Sequence, residues 1–596
     1  MQNYTAPLRD MRFVLHELHD SSSLNHLPGL EEMTPDLLDT ILEEAAKIMT
    51  AVLLPLNASG DAQGCRLENG VVHTPEGFKD AYQQFIAGGW TALNCDPAYG
   101  GQGLPESVSK LIEEIICGCN LSFGLYPGLS HGAYMALRSH GSDALKDLYL
   151  PKLVDGTWGG TMCLTEAHCG TDLGMLRTKA VPQSDGSYRI TGSKIFISSG
   201  EHDLTENIVH LVLARLPDAP SGIKGISLFA VPKFLPEADG SVGARNGVLC
   251  TGIEHKMGIR ASATCQLAFD EAKGWLVGEM NKGMRAMFVM MNSERLSCGT
   301  QGLGVGEAAY QNAVAYTKER IQGRSVAGAK HPEKPADPII VHPDVRRSLM
   351  TMRANNEGCR ALGVWVANAL DRAERATDHA ERAEAQDFIA LMTPIVKALF
   401  TDLGFESTNL ALQTYGGHGY VVDNGMEQLV RDARITMIYE GTNGVQALDL
   451  VGRKLPANMG RSLRRFFHPV SEFIEAHATD VEVGPLVQGY AKAFGALQLA
   501  TAFIAQKSQG DPEEAAAAAS DYLRLFGIVA LGFMWVRMAK VAADKLPTAG
   551  EDAAFYRAKR TTASFYIERI LPQAGALLTA IKAGKASMMA LEESAF

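Results

Sequence analysis

One carboxylate in this chain sits where chemistry is expected of it. Glu440 lies in the turn Tyr439-Glu440-Gly441-Thr442, within the run RDARITMIYEGTNGVQ from Arg431 to Gln446. Leu429, Val430, Ile435 and Ile438 recur at helix-like intervals and predict a packed helix leading into the turn. Gly441 lets backbone approach a ligand closely. Glu440 is therefore expected at a helix end facing a cavity, with an ordinary surface carboxylate as the competing reading. Two other groupings invite chemistry less. Gly302-Leu303-Gly304-Val305-Gly306 has the spacing of a dinucleotide loop, but it follows no strand and lies in a helical pattern, which predicts close helix packing. Glu201-His202-Asp203 could be drawn as a metal cluster; three consecutive residues converge poorly on one ion, so a solvated turn and no metal are expected.

The chain that must position these groups has 596 residues, 46% hydrophobic and 20% charged, enough for large cores and several domains. Its 55 Lys and Arg against 67 Asp and Glu give a net charge of −12, which opposes attraction to phosphate backbones, so no nucleic-acid partner is expected. Ten cysteines fall between Cys65 and Cys359 without a regular framework and read as reduced core thiols; Cys117 and Cys119 form a CxC, not a CxxC ligand pair. The N-terminal segment mixes acids and bases without an apolar core and cleavage site, so a cytoplasmic location is expected. The apolar run Leu525 to Val536 has twelve residues where a spanning helix needs roughly 20, which predicts a buried helix and no integral membrane segment.

Pattern changes divide the chain into five parts. Residues 1–36 form an arm with one helical pattern (Met11, Val14, Leu15, Leu18), and 37–158 an α domain interrupted by loops such as Asp96-Pro97-Ala98-Tyr99-Gly100-Gly101. Residues 159–280 form a β domain with short runs at Ile190 to Ser198, Ile208 to Arg215, Ile226 to Val231 and Gln266 to Phe269. Helical periodicity resumes over 281–455. Past the Pro456-Ala457-Asn458 break, 456–596 is an added Ala-rich helical domain in which Glu513-Glu514-Ala515-Ala516 opens a helix. Gln322 to Pro338 is polar, basic and Pro-containing, and a mobile loop is expected there.

Six motifs stand in order along this layout: DPAYGGQGLP (96–105), YLPKLVDGTWGGTMCLTEAHCGTDLG (149–174), ITGSKIFISSG (190–200), MGIRASATCQLAFDEA (257–272), QTYGGHGY (413–420) and the Glu440 segment. Over roughly residues 37 to 455 the chain resembles the acyl-CoA dehydrogenase family. The resemblance implies an α+β multidomain fold: an N-terminal α-helical domain, a middle β-barrel or sandwich, a C-terminal four-helix bundle, and here a further helical domain. The arm and that added domain are similar to a bacterial subgroup acting on medium or long acyl chains or on 3-methylthiopropionyl-CoA.

The chemistry implied by the resemblance is desaturation of an acyl-CoA thioester to the trans-2-enoyl-CoA, as in fatty acid β-oxidation. Glu440 matches the family's base for the α-proton, and the β-hydride goes to flavin N5 of FAD. A carboxylate gains basic strength where water is excluded, and general-base work is worth on the order of 10² to 10⁴ in rate. The enolate oxygen is assigned to the backbone N–H of Glu440 and a flavin ribityl hydroxyl. Met162, Leu164 and Thr165 match the segment lining the isoalloxazine ring. Phe196, Ile197 and Ser198 match a second strand that is commonly Trp-Ile-Thr. Arg320 and Gln322 match contacts to the FAD pyrophosphate of a neighbouring subunit, although the aromatic residue usual before Gly323 is missing. Gln413, Gly416 and Gly417 match the loop on the adenosine half, and Thr442 and Asn443 the next FAD contacts. For acyl-CoA the matching positions are Thr171, Asn292, Arg295, Tyr439 and Gly441.

Glu294 aligns with an alternative base used by some relatives, so a second acid accompanies Glu440 as a paired or structural group. Met287, Met290 and Met291 share a face suited to an acyl tunnel or to plain core. The resemblance further implies electron-transfer flavoprotein as acceptor and a homodimer or homotetramer. A medium- or long-chain fatty acyl-CoA is the expected substrate. The alternatives are a 3-methylthiopropionyl-CoA dehydrogenase, an acyl-CoA oxidase, and a flavin-containing nucleic-acid-binding stress protein.

Overall fold

The computed structural model describes residues 2–237 and 239–596. In chain order it comprises α1 (Leu8–Arg12), α2 (Pro35–Ile48), α3 (Pro55–Gln63), the hairpin β1 (Arg66–Glu68) and β2 (Val71–His73), α4 (Phe78–Ala87), α5 (Glu106–His140) and α6 (Asp143–Val154). Then come β3 (Trp158–Cys163), β4 (Lys179–Pro182), β5 (Tyr188–Ser198), β6 (Asn207–Arg215), β7 (Ile226–Pro232), β8 (Phe234–Pro236), β9 (Val242–Arg245), β10 (Val248–Ile253) and β11 (Thr264–Val277). The rest is helical: α7 (Gly283–Glu319), α8 (Pro343–Arg375), α9 (His379–Tyr415), α10 (Met426–Thr436), α11 (Asn443–Asp449), α12 (Arg461–His477), α13 (Gly484–Ser508), α14 (Pro512–Lys545), α15 (Ala553–Phe565), α16 (Gln573–Lys582) and α17 (Ala586–Met589). This is an α+β multidomain architecture.

Two compact units emerge, one of residues 48–104 and 119–297, the other of 1–47, 105–118 and 298–596. The first holds the β structure. Along the path β10-β11-β5-β4-β6-β3 each strand pairs with the next, and β7 pairs with both β11 and β6. The ring β11-β5-β4-β6-β7 thereby closes in the manner of a barrel, with β10 and β3 each paired to it along one side. β6 is buried except at its last residue, and every residue of β7 is buried. The β1–β2 hairpin was not expected from the sequence. Within this unit α5 is broken at Asn120, whose side chain accepts from Phe123 N at 3.0 Å and so caps a fresh helical start.

The second unit is all helical. Local signals set its helix ends: Asp378 accepts from Ala380 N to open α9, and Asp511 accepts from Glu513 N to open α14 behind Pro512. Leu525 to Val536 lies inside α14 and is buried throughout. Among the described residues two helices are long and apolar enough to cross a membrane, His379–Tyr420 and Pro512–Thr548, but 78% and 83% of their apolar windows are buried inside the protein, which marks them as core. Glycines let the helices touch. A Cβ on Gly302 would stand 2.7 Å from Phe400 O, one on Gly304 2.7 Å from Glu114 O, and one on Gly404 2.2 Å from Gly302 O. The Gly-x-Gly-x-Gly spacing serves helix packing, as its context predicts.

A buried ionic cluster ties this unit together. Arg360 reaches three carboxylates, those of Asp10, Glu114 (Nη2 to Oε1, 2.5 Å) and Glu307 (3.1 Å). Lys559 pairs with Asp10 and with Glu357 at 2.8 Å, and Glu357 with Arg353 at 2.7 Å. The N-terminal arm, α5, α7, α8 and α15 therefore share one charge cluster. Met11, Val14, Leu15 and Leu18 of the arm are buried as their spacing predicts.

Two expectations fail. Gln322 to Pro338 is not loosely held, because its backbone wraps the side chain of Asp337. Glu201 and His202 are not in a solvated turn: they are 2% and 3% exposed, with Glu201 paired to Lys233 and Arg245 and Asp203 accepting from Thr74. His202 packs against Tyr126, and burial pushes its imidazole down to about 3, so it is neutral. The ten cysteines are all free, and all but Cys65 are buried.

Candidate active site

In the barrel unit the two segments expected at a flavin ring are joined by hydrogen bonds. Ile195 N donates to Thr165 O at 2.9 Å, and Lys194 Nζ donates to Leu164 O at 2.9 Å. Opposite β11, Ile195 and Phe196 face the single residue Gln266, a bulge in which Phe196 takes a φ of 59°. Alternation puts Phe196 and Ser198 on the outer face and Ile197, 2% exposed, on the inner one. Ile197 thus offers a ligand only its backbone. Phe196 is 59% exposed. A bare aromatic at a strained, bulged position beside backbone groups and the Thr165 hydroxyl fits a flat aromatic ring such as isoalloxazine. Met162 and Thr165 are half-buried and Leu164 is buried.

Beneath these strands lies a buried ion pair that sequence reasoning missed. Lys194 is fully buried and pairs with Glu166 at 2.9 Å. Burial opposes the charge on Glu166, but the Lys194 ammonium, the Thr178 hydroxyl and the Arg177 N–H outweigh it and pull the carboxyl down to about 2. The signal was available: Lys194 falls on the inward phase of the β5 alternation. Glu166, His168 and Cys169 bring three ligand-type atoms within 4.8 Å. Glu166 Oε1 already serves Lys194 and Thr178, which leaves that cluster ill suited to a cation.

At the start of α7, Arg295 Nη1 donates to Asn292 Oδ1 at 3.3 Å, bringing two predicted acyl-CoA contacts together. Arg295 and Glu294 are buried, whereas Asn292 and Thr171 are exposed. Glu294 packs on α5 against Gly132, where a Cβ would lie 2.5 Å from Glu294 Oε1 and 3.0 Å from Met290 Cγ and would push these side chains aside. Met287 and Met290 are fully buried beside it.

The helical unit positions Glu440. Helix α10 ends at Thr436, short of Ile438, which is 46% exposed. The packed face is Met426, Leu429, Ala433 and Thr436, so the expected apolar stripe is corrected at Val430 and Ile435, which are half-buried, and at Ile438. The next turn places Glu440 at a φ of 58° and Gly441 at 87°. Left-handed backbone at a glutamate costs on the order of 1 to 3 kcal/mol and persists only where neighbours over-determine it. Gln446 Nε2 donates to Glu440 O at 3.1 Å and Gly441 O at 3.3 Å, and the Tyr439 hydroxyl donates to Gln301 Oε1 at 2.5 Å. Thr442 then caps α11 by accepting from Val445 N. Asn443 is turned into α9: its amide donates to Asp402 at 2.6 Å and accepts from Lys397 at 2.8 Å. Its side chain anchors the turn.

The ends of α7 and α9 also meet. Tyr316 stacks on Tyr415 at 4.0 Å between ring centroids, and its hydroxyl lies 2.8 Å from His418 Nδ1. This brings Arg320 and Gln322, both exposed, into the same region as Gln413, Gly416 and Gly417. Gly416 ends α9 with a φ of 61°, and a Cβ on Gly416 or Gly417 would meet nothing within 4 Å. That open glycine surface admits close approach by a ligand.

Comparison with known proteins gives these parts a common origin. Family models match four successive stretches: the acyl-CoA dehydrogenase N-terminal domain at 39–157, middle domain at 161–272 and C-terminal domain at 281–455, and an acetyl-CoA dehydrogenase C-terminal-like domain at 466–592. The chain is 43% identical over 578 residues to the 3-methylmercaptopropionyl-CoA dehydrogenase of Ruegeria pomeroyi, covering 96% of this chain and 97% of that one. It is 35% identical to the broad-specificity linear acyl-CoA dehydrogenase FadE5 of Mycobacterium tuberculosis, over the whole of both chains. The fold is shared with an acyl-CoA dehydrogenase of Bacillus anthracis complexed with FAD, at a TM-score of 0.74 and 19% identity, covering 96% of this chain and 91% of that one. This chain belongs to the acyl-CoA dehydrogenase family, FAD-dependent oxidoreductases that act on the CH–CH bond of an acyl-CoA.

Proposed function

We propose that the chain desaturates a short acyl-CoA of the size of 3-methylthiopropionyl-CoA, with Glu440 as the base. The observation that carries the reading is the Glu440 turn: a glutamate at a strained φ whose backbone carbonyl is held by Gln446, next to a Tyr439 tied to Gln301. A backbone held in that way fixes where the carboxylate is carried when the α-proton is transferred. Glu440 takes that proton, and its own backbone N–H serves the thioester oxygen as negative charge develops there. FAD, when bound, supplies the acceptor for the β-hydride. Met162, Leu164, Thr165, Phe196, Ile197 and Ser198 would hold it in the barrel unit. Arg320, Gln322, Gln413, Gly416, Gly417 and Thr442, with the Asn443 backbone, would hold it in the helical unit and in part from a neighbouring subunit. Thr171, Asn292, Arg295, Tyr439 and Gly441 contact acyl-CoA, and Glu294 is a second acid, paired or structural.

The thioether substrate is supported by the relative at 43% identity. A medium- or long-chain fatty acyl-CoA is the second reading, supported by the broad linear specificity named for the 35% relative. The acceptor is electron-transfer flavoprotein and the assembly a homodimer or homotetramer. Anaerobic titration with C4, C8, C16 and 3-methylthiopropionyl-CoA, followed by flavin bleaching, tests the reading. Bleaching by the thioether substrate at the lowest concentration supports it, preference for C16 replaces it with the second, and hydrogen peroxide in aerobic turnover would replace the dehydrogenase by an oxidase.

A further inference from the structure

Helix α7 ends at Glu319, and the chain leaves it through Arg320 to Gly323 before a long excursion that returns at Asp337. No residue from 321 to 336 is buried. An apolar core therefore does not fold this segment, and its polar, Pro- and Gly-containing composition supplies no reason for order. Asp337 does. Its side chain is fully buried and accepts from Ser325 N at 3.0 Å, Lys330 N at 3.0 Å, His331 N at 2.7 Å and Arg324 Nη1 at 3.3 Å. Its backbone completes the closure: Gln322 N donates to Asp337 O and Asp337 N to Gly323 O, each at 2.9 Å, while Ile339 N donates to Arg320 O at 2.8 Å. Three amides and a guanidinium converging on one carboxylate hold its pKa well below the ordinary range. Removing the anion would leave those amides without their acceptor and return the segment to an open ensemble.

We propose that Asp337 is a positioning residue for FAD: by closing this loop it fixes the register of Arg320 and Gln322. The proposal rests on the assignment of Arg320 and Gln322 to the cofactor pyrophosphate. Asp337 touches no ligand itself. Its charge acts on the loop backbone, and the loop presents the exposed Arg320 and Gln322 side chains at fixed positions.

The test compares Asp337→Asn, Asp337→Ala and Arg320→Ala in the full-length protein. FAD affinity is read by flavin fluorescence on reconstituting apo-protein, and amide hydrogen exchange is read across residues 320–339. Apo-protein melting temperature reports whether each variant folds. Asp337→Asn keeps the volume but points an amide at N–H donors, so it should lose protection at Ser325, Lys330 and His331 and bind FAD at least tenfold more weakly, with the apo melting temperature little changed. Arg320→Ala should weaken FAD binding while the loop stays protected. Unchanged FAD affinity in both Asp337 variants, alongside a weakened Arg320→Ala, overturns the positioning role alone. Unchanged affinity in Arg320→Ala and in a matching Gln322→Ala overturns the assignment of the loop to FAD and the proposal with it.

Discussion

Glu114 offers the sharpest test of how charge is balanced inside the helical unit. Its cluster contains four carboxylates (Asp10, Glu114, Glu307, Glu357) and three cations (Arg353, Arg360, Lys559), so full ionisation leaves one buried negative charge in excess. Burial pushes Glu114 up from 4.5 to about 7 against the pull of Arg360, with Glu307 and Asp10 adding to the push. Between those values the folded protein holds a proton that the unfolded chain has released, so stability falls as pH rises through the window and levels off above about 7. At about 1.4 kcal/mol per pH unit, that interval is worth roughly 3 kcal/mol. Glu114→Gln keeps the shape and a hydrogen bond to Arg360 but carries no charge to desolvate. Its melting temperature should match or fall slightly below that of the natural protein at about pH 5.5 and exceed it at about pH 8. Other titrating groups cancel in the difference. A variant-minus-natural difference that is the same at both pH values would refute the charge count.

Glu440→Gln should abolish flavin bleaching by any acyl-CoA, a loss of at least about 10² in rate, while Glu294→Gln only slows it; bleaching that survives in Glu440→Gln would move the base elsewhere. Lys194→Met leaves Glu166 buried without its cation and should cost about 3 kcal/mol, seen as a lower melting temperature, because breaking a buried pair exposes the full desolvation penalty. Gly404→Ala forces a methyl group against the Gly302 carbonyl, where only backbone can yield, and should cost about 1 to 3 kcal/mol in chemical denaturation.

The parts legible in the sequence are those where local pattern and tertiary role agree. β5 and β6 follow from alternation and apolar runs, and the Gly302-Leu303-Gly304-Val305-Gly306 stretch belongs to a helix because its surroundings are helical in pattern and it follows no strand directly. The Glu440 turn stood out because an acid followed by glycine interrupts two helical patterns, α10 and α11. Misreadings arose where distant partners decide the outcome. Glu201 reads as exposed until Lys233 and Arg245 are brought to it from β-strand neighbours far along the chain. Asp337 is one acid in a polar run, and nothing local says that three amides will converge on it.

The ionic cluster also constrains how the protein is made. Arg9 and Tyr556, joined by a hydrogen bond, are 547 residues apart, and the neighbouring Asp10 needs Lys559 as its counter-ion. While the chain is still on the ribosome, Asp10, Glu114 and Glu307 have Arg360 alone between them, and the last cation arrives only when α15 emerges. Contacts of such separation close late, because the entropy of the loop must be overcome before they reward it. The barrel unit, complete by residue 297, can fold during synthesis. The helical unit waits for its final segments, and a nascent chain stalled short of α15 presents exposed apolar helices, the kind of surface that molecular chaperones bind.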